Sequence, residues 1–174
     1  MKIWLITDTH FGHEKMIDFG RPKGFEQKIL KNMASQLLVI DNKTDMIIHL
    51  GDFSLGKDEF WNTVFNTHFP GIKWLVRGNH DHKSSSWYLS RGWSFVGDMV
   101  VFKAFGKSIL FSHEPTPRSS FWNVDINIHG HFHNNQHRLK EAAGFYDPTY
   151  HKLLSLEKEN YKLIELKSFI EKYA

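Results

Sequence analysis

Five short apolar runs punctuate the chain, at residues 3–7, 46–50, 72–76, 109–112 and 126–129. Each is only four or five residues long and rich in Ile, Leu, Val and Trp, which reads as strand rather than helix. Between the first two, Phe25, Ile29, Met33, Leu37 and Ile40 recur at spacings of three and four with Lys and Gln among them, predicting an amphipathic helix over residues 25–40. A weaker pattern predicts a second helix over residues 58–67. Strand alternating with helix implies right-handed crossovers and a parallel sheet covered on both faces. From about Ser94 onward the strands come closer together, and residues 99–105 and 107–112, parted by Gly106, read as a hairpin. A second, more antiparallel sheet is therefore expected, followed by a late strand over residues 161–166 and a terminal helical turn over 167–173. No repeat, low-complexity tract or Pro/Gly-rich linker interrupts the 174 residues, so one domain spanning 1–174 is expected.

Composition narrows the chemistry. Hydrophobic residues make up 41% of the chain and aromatics 15%, enough for a substantial core. No stretch approaches the eighteen or so apolar residues of a membrane span, and the opening run meets Thr7 and Asp8 too early for a signal-peptide core. A cytoplasmic protein without membrane contact is the expectation. Cysteine is absent, which removes disulfides, thiolate metal sites and Cys nucleophiles, so any metal must sit on oxygen and imidazole. The net charge of +3 comes from scattered Lys and Arg and permits a phosphate-bearing partner without demanding one. Twelve histidines are the more unusual count.

Candidate ligands cluster where the apolar runs end: Asp8-Thr9-His10, Gly51-Asp52, Gly78-Asn79-His80-Asp81, Ser112-His113 and Gly130-His131-Phe132-His133. A spacing of two would put Asp8 and His10, and again His131 and His133, on one face of extended backbone. Gly51 and Gly78 permit tight turns that bring backbone close to whatever Asp52 and Asn79 hold. In parallel α/β sheets the carboxyl ends of strands converge on a crevice where ligands bind. Each block alone is an ordinary turn, but five in this order point to a metal site.

These blocks resemble the signature of the calcineurin-like metallophosphoesterase superfamily, DxH, GD, GNH(D/E), H and GHxH, across residues 8–133. The opening Thr-Asp-Thr-His-Phe-Gly-His is similar to that of small single-domain members from prokaryotes and phages. The resemblance implies an α/β fold of the α/β/β/α type, a two-sheet β-sandwich flanked by helices. It implies one metal held by Asp8, His10, Asp52 and His133, and a second by Asp52, Asn79, His113 and His131, with Asp52 bridging. Two divalent transition-metal ions are expected, Mn first, with Fe, Zn, Ni and Co as alternatives suited to mixed oxygen and imidazole ligands. Two such ions lie about 3.5–4 Å apart and activate hydroxide for in-line displacement at phosphorus. His80 follows a ligand without being one in the family scheme, and imidazole titrates near neutrality, so His80 is expected to protonate the leaving group.

Less distinctive residues surround the blocks. His13 and Arg77 are expected substrate contacts, each against an ordinary surface alternative, and Asp81 a turn cap or a support for the site. His49 and His129 lie within strands and are expected as core hydrogen-bonders; His82, His137 and His151 are expected in solvent. Phe11, Phe53, Trp87, Trp93, Phe121 and Trp122 read as core. Phe11, Phe53 or Phe132, if exposed beside the metals, would stack a nucleobase. The segment from Glu114 to Ser120 is the most loop-like and is expected to shape access. The favoured activity is hydrolysis of phosphodiesters, or monoesters, with a nucleotide or nucleic acid among the candidate substrates and no obligate protein partner. Alternatives are a nuclease for single-stranded or damaged nucleic acid, which needs a basic stripe leading to the metals, and a non-catalytic protein-interaction module on the same fold, like the retromer scaffold subunit.

Overall fold

The computed structural model describes residues 1–121 and 123–173; Trp122 lies outside them. Two sheets face one another with helices flanking them. The first has the order β4-β3-β2-β1-β9, built from β1 (Ile3–Ile6), β2 (Met46–His49), β3 (Ile72–Val76), β4 (Phe95–Gly97) and β9 (Ile164–Glu165). β1 to β4 pair in parallel, and the two-residue β9 closes the edge antiparallel to β1. The second sheet has the order β5-β6-β7-β8, from β5 (Met99–Ala104), β6 (Lys107–Ser112), β7 (Ile126–His129) and β8 (His151–Leu153).

The hairpin at Gly106 forms as expected, but β6 pairs with β7, and β7 with β8, in parallel. The expected antiparallel character is thus confined to one of three pairings. The connections explain this: long excursions over residues 113–125 and 130–150 return the chain to the same end of the sheet, which a tight hairpin cannot do. Those same excursions carry His113 and the His131/His133 pair.

Alternation along the strands divides the core. Trp4, Ile6, Ile47 and Leu75 point outward against α1 (Phe25–Gln36), through Phe25, Ile29 and Met33, and against Phe65 of α2 (Asp58–His68). Ile3, Leu5, Ile48 and Val76 point inward against Ile109, Phe111, Ile126 and Ile128 of the second sheet and against α5 (Leu166–Glu171). Helices therefore cover one face of the parallel sheet and the second sheet covers the other. The α1 pattern continues to Ile40, but the helix stops at Gln36, whose side-chain amide exchanges hydrogen bonds with backbone Leu163. Leu38 and Val39 are left in solvent. Two short helices complete the chain, α3 (Ser85–Leu89) and α4 (Gln136–Glu141). No helix among the described residues is long and apolar enough to cross a membrane.

Candidate metal centre

The loops that follow β1 and β2 remain zipped beyond the strands: Asp8 N donates to Gly51 O at 2.9 Å, His10 N to Asp52 O at 2.9 Å and Phe11 N to Phe53 O at 3.0 Å. Yet the backbone there is not extended. Asp8, His10, Asp52, His131 and His133 all have positive φ, between 48° and 66°. That left-handed region is costly for residues bearing a Cβ and collects at functional sites. The two spacings of two therefore converge through alternating left-handed residues, not through the shared face of a strand. The glycines make room: a Cβ on Gly51 (φ +90°) would sit 2.7 Å from His113 Nδ1, and one on Gly78 would overlap the Asp52 carboxylate.

Two groups of ligand atoms result. In the first, His133 Nε2 lies 3.6 Å and His10 Nε2 3.9 Å from Asp8 Oδ1, with His10 Nε2 3.5 Å from Asp52 Oδ2. In the second, His113 Nε2 lies 3.4 Å from that same Asp52 Oδ2, 3.2 Å from Asn79 Oδ1 and 3.1 Å from His131 Nδ1. Donor atoms on bonds of about 2.0–2.2 Å around one ion would be spaced roughly 3.0–3.6 Å apart, a spacing the second group meets and the first exceeds only at His10 Nε2 to Asp8 Oδ1, 3.9 Å. Asp8 Oδ1 and both ring nitrogens of His10 are buried without a hydrogen-bond partner, which is unusual for polar atoms in a protein interior. The atoms of Asp8, Asp52 and His113 that face away from the site are anchored. Asp8 Oδ2 accepts from Thr7 Oγ1 at 2.7 Å and His131 N at 3.1 Å, and Asp52 Oδ1 accepts from His80 N at 2.9 Å. His113 Nδ1 lies 2.7 Å from the Leu50 carbonyl oxygen, so Nδ1 carries a hydrogen and Nε2 is the atom turned to the site.

Electrostatics fit the same picture. Burial pushes His10 down to about 2 despite the nearby Asp52 carboxylate, which keeps it neutral, as a ligand must be. Burial also disfavours the charged forms of His113 and Asp52, but their mutual hydrogen bond and attraction outweigh it, raising His113 to about 9 and holding Asp52 below the usual carboxylate range. His133 is raised too, because Asp8 and Glu157 outweigh burial. A cluster of imidazoles and carboxylates satisfied by protons in this way can be satisfied equally by divalent ions.

The remaining expectations divide. His80 is one-third exposed at the cavity, with Nε2 4.0 Å from Asp52 Oδ2. His13 packs against both His10 and His80, ring centroids 5.5 and 5.7 Å away, and lines the same cavity. Arg77 does not join them; its Nε and Nη2 donate to Asp98 Oδ1 at 2.9 and 2.6 Å, the ordinary surface alternative. Asp81 does not face His80. It is buried and accepts from Asp52 N and Gly78 N, both at 2.8 Å, and from Phe53 N at 3.0 Å. Burial pushes its carboxyl up to about 7, against the pull of the amide hydrogens.

His49 and His129 are buried hydrogen-bonders as expected. His49 Nδ1 accepts from Gly51 N, and its Nε2 meets Thr9 Oγ1 at 3.0 Å, which in turn donates to Phe53 O. His151, expected in solvent, is buried instead: Asp147 N donates to its Nδ1, its Nε2 lies 2.9 Å from Thr116 O, and its ring stacks on Tyr146. Phe11, Phe53 and Phe132 are buried, so none can stack a substrate; Trp93 is core, while Trp87 and Phe121 are half-buried.

Three residues of the site carried no sequence signal. Arg21 is buried, donating to Asp8 O at 2.6 Å, Thr9 O at 3.0 Å and Glu157 Oε1, while Glu157 Oε1 lies 3.1 Å from His133 Nδ1. Arg138 places Nη1 2.7 Å from His131 Nε2. A cavity of about 370 Å³ opens over these groups, with exposed Phe19 and buried Met16 among its lining.

The calcineurin-like phosphoesterase family model matches residues 1–165. The chain belongs to that family. The chain is 28% identical over 171 residues to an uncharacterized protein of Methanocaldococcus jannaschii, covering 95% of this chain and 87% of that one. Its fold superposes with a TM-score of 0.78 and 28% identity on a protein of unknown function from Aquifex aeolicus, covering 99% of both chains. A nuclease from Pseudomonas putida aligns more loosely, at 24% identity and a TM-score of 0.49 over 75% of this chain and 61% of that one.

Proposed function

We propose that this phosphoesterase is a dinuclear metal-dependent hydrolase of phosphate esters, with diesters preferred to monoesters. The observation that carries the reading is the Asp52 carboxylate oxygen lying within 3.5 Å of a donor atom in each of the two groups. Asp8, His10, Asp52 and His133 would hold one ion, and Asp52, Asn79, His113 and His131 the other, with Mn the first choice and Fe, Zn, Ni or Co as alternatives. When bound, the ions would supply Lewis acidity toward phosphoryl oxygens and a nucleophile drawn from water.

The chain's own residues do the rest. Arg21 and Glu157 clamp the backbone of Asp8 and Thr9 and the ring of His133, fixing donor positions before substrate arrives. His80, at the cavity wall, gives its imidazolium proton to the departing oxygen, breaking an N–H bond as the new O–H bond forms. His13 stands behind it as a substrate contact. The test is turnover of bis-p-nitrophenyl phosphate against p-nitrophenyl phosphate in Mn-supplemented buffer, for the native chain and for His80→Ala. Faster diester turnover is expected, with kcat reduced about 10²–10⁴-fold in the variant and Mn content unchanged. Absence of diesterase activity would remove the preference, undiminished turnover in His80→Ala would remove its role as proton donor, and absence of turnover on either ester would favour the protein-interaction reading.

A nucleotide is the substrate class that a specific observation favours. Phe19 is 74% exposed on the cavity lining, an arrangement suited to stacking a base, and takes the place expected of Phe11, Phe53 or Phe132. The cationic side chains among the described lining residues are Arg21, already paired with Glu157, and Arg138. That is less than a nucleic-acid strand requires and enough for one phosphate. Phe19→Ala is expected to weaken competition by adenosine monophosphate about tenfold while leaving competition by inorganic phosphate unchanged. Equal loss for both competitors would remove the stacking role.

A further inference from the structure

Arg138 stands apart from the other four arginines. Arg21, Arg77, Arg91 and Arg118 each meet a carboxylate within 4 Å, at Glu157, Asp98, Glu59 and Asp147. Among the described residues Arg138 instead rests on an imidazole, Nη1 2.7 Å from His131 Nε2 and 3.4 Å from His131 O. A guanidinium only donates hydrogen bonds, so this contact requires a lone pair on Nε2. His131 Nδ1, however, is the atom that faces His113 Nε2 at 3.1 Å within the second donor group.

A neutral imidazole has one lone pair and one N–H. If Nδ1 spends its lone pair on an ion, Nε2 must carry the hydrogen, and donor would then face donor across 2.7 Å. The guanidinium has to leave. A replacement is at hand, since Glu114 Oε1 lies 3.9 Å from Nε2 and a carboxylate is the usual acceptor for the free N–H of a ligating histidine. The displaced guanidinium need not travel far: Arg138 lines both the cavity over the metal centre and the adjoining groove bounded by Glu114, Pro115 and Phe145.

We infer that Arg138 is the phosphate-binding arm of the site, parked on His131 in the metal-free chain and released toward the substrate's phosphoryl oxygens when His131 turns to an ion. The inference rests on the metallophosphoesterase reading and adds to it a coupling: metal uptake and anion affinity share one side chain. Arg138 would give a fork of parallel N–H groups matched to two phosphate oxygens, which a lysine cannot reproduce.

The experiment is a pair of calorimetric titrations on the native chain, Arg138→Ala and Arg138→Lys: Mn²⁺ into metal-stripped protein, then inorganic phosphate into the Mn-loaded protein. Arg138→Ala is expected to lose about ten- to hundredfold in phosphate affinity. Its Mn²⁺ affinity should be equal to or higher than native, because no guanidinium occupies His131, and Arg138→Lys should recover only part of the phosphate binding. Unchanged phosphate affinity in Arg138→Ala overturns the inference. So does a fall in Mn²⁺ affinity, which would make Arg138 a prop for His131. A native chain that takes up no Mn²⁺ overturns the metallophosphoesterase reading itself, a result visible before any variant is compared.

Discussion

Asp52→Asn is expected to reduce metal-dependent hydrolysis by about a thousandfold or more and to weaken Mn²⁺ uptake at both positions while leaving the chain folded. The substitution is nearly isosteric, and the amide can still accept from His80 N where Asp52 Oδ1 now does. What disappears is the charged Oδ2, which lies 3.5 Å from His10 Nε2 and 3.4 Å from His113 Nε2 and so belongs to both donor groups. An amide can offer one neutral oxygen to one ion, or its NH₂ to neither. The remaining carboxylate on the donor list, Asp8, would face two dications alone. Inductively coupled plasma analysis after Mn loading, run beside the hydrolysis assay, checks both parts. Native metal content with lost turnover would show that Asp52 serves chemistry without bridging.

Asp81→Ala is expected to destabilise the chain by about 3–5 kcal/mol, read as a lower urea midpoint, and to lower Mn²⁺ affinity although Asp81 is not among the donors. Its carboxylate is the acceptor for three amide hydrogens, those of Asp52, Phe53 and Gly78. Removing it leaves three donors in a pocket where the side chain is only 5% exposed, each lost bond worth about 1–3 kcal/mol and the sum less than additive. The same three bonds hold Asp52 at φ 53° and press Gly78 against its carboxylate, so the oxygen shared by the two donor groups would drift as the loop relaxes. Asp81→Asn, which keeps one acceptor oxygen, should cost less. An unchanged urea midpoint in Asp81→Ala would mean that water replaces the clasp at little cost.

Asp81 also shows where the sequence could be read and where it could not. The five donor blocks were legible because each closes an apolar run, and parallel strands deliver their carboxyl ends to one edge. The parallel pairing of β1, β2 and β3 follows from the same alternation, but β4 lies beyond Ser94, where the second sheet was expected, and joins the first sheet instead. Asp81 was visible as part of a block, but whether it caps its own turn or clasps the neighbouring loop depends on the approach of residues 52 and 53, nearly thirty positions away. Arg21 and Glu157 are more extreme. They stand 136 positions apart, in no periodic pattern, and acquire a role only when the chain end folds back over the first loop. The left-handed backbone at Asp8, His10, Asp52, His131 and His133 was equally hidden, since Asp and His tolerate a positive φ better than most residues but adopt it in only a minority of their positions. The parallel pairing of β6, β7 and β8 was missed for a related reason: short strands near one another suggest hairpins until the length of the excursions between them is counted.

These contacts give the site a consistent division of labour. Strand ends supply donors, Asp81 and the Arg21–Glu157 pair hold the loops that bear them, and His80, Phe19 and Arg138 face the space where a substrate would lie. The proposed hydrolase holds two ions around one shared carboxylate, and its turnover depends on both. Titrating Mn²⁺ into chelator-stripped protein while following bis-p-nitrophenyl phosphate turnover tests this most directly. No turnover is expected without metal, and activity is expected to saturate at two equivalents per chain. Saturation at one equivalent, or turnover that survives chelation, would contradict it.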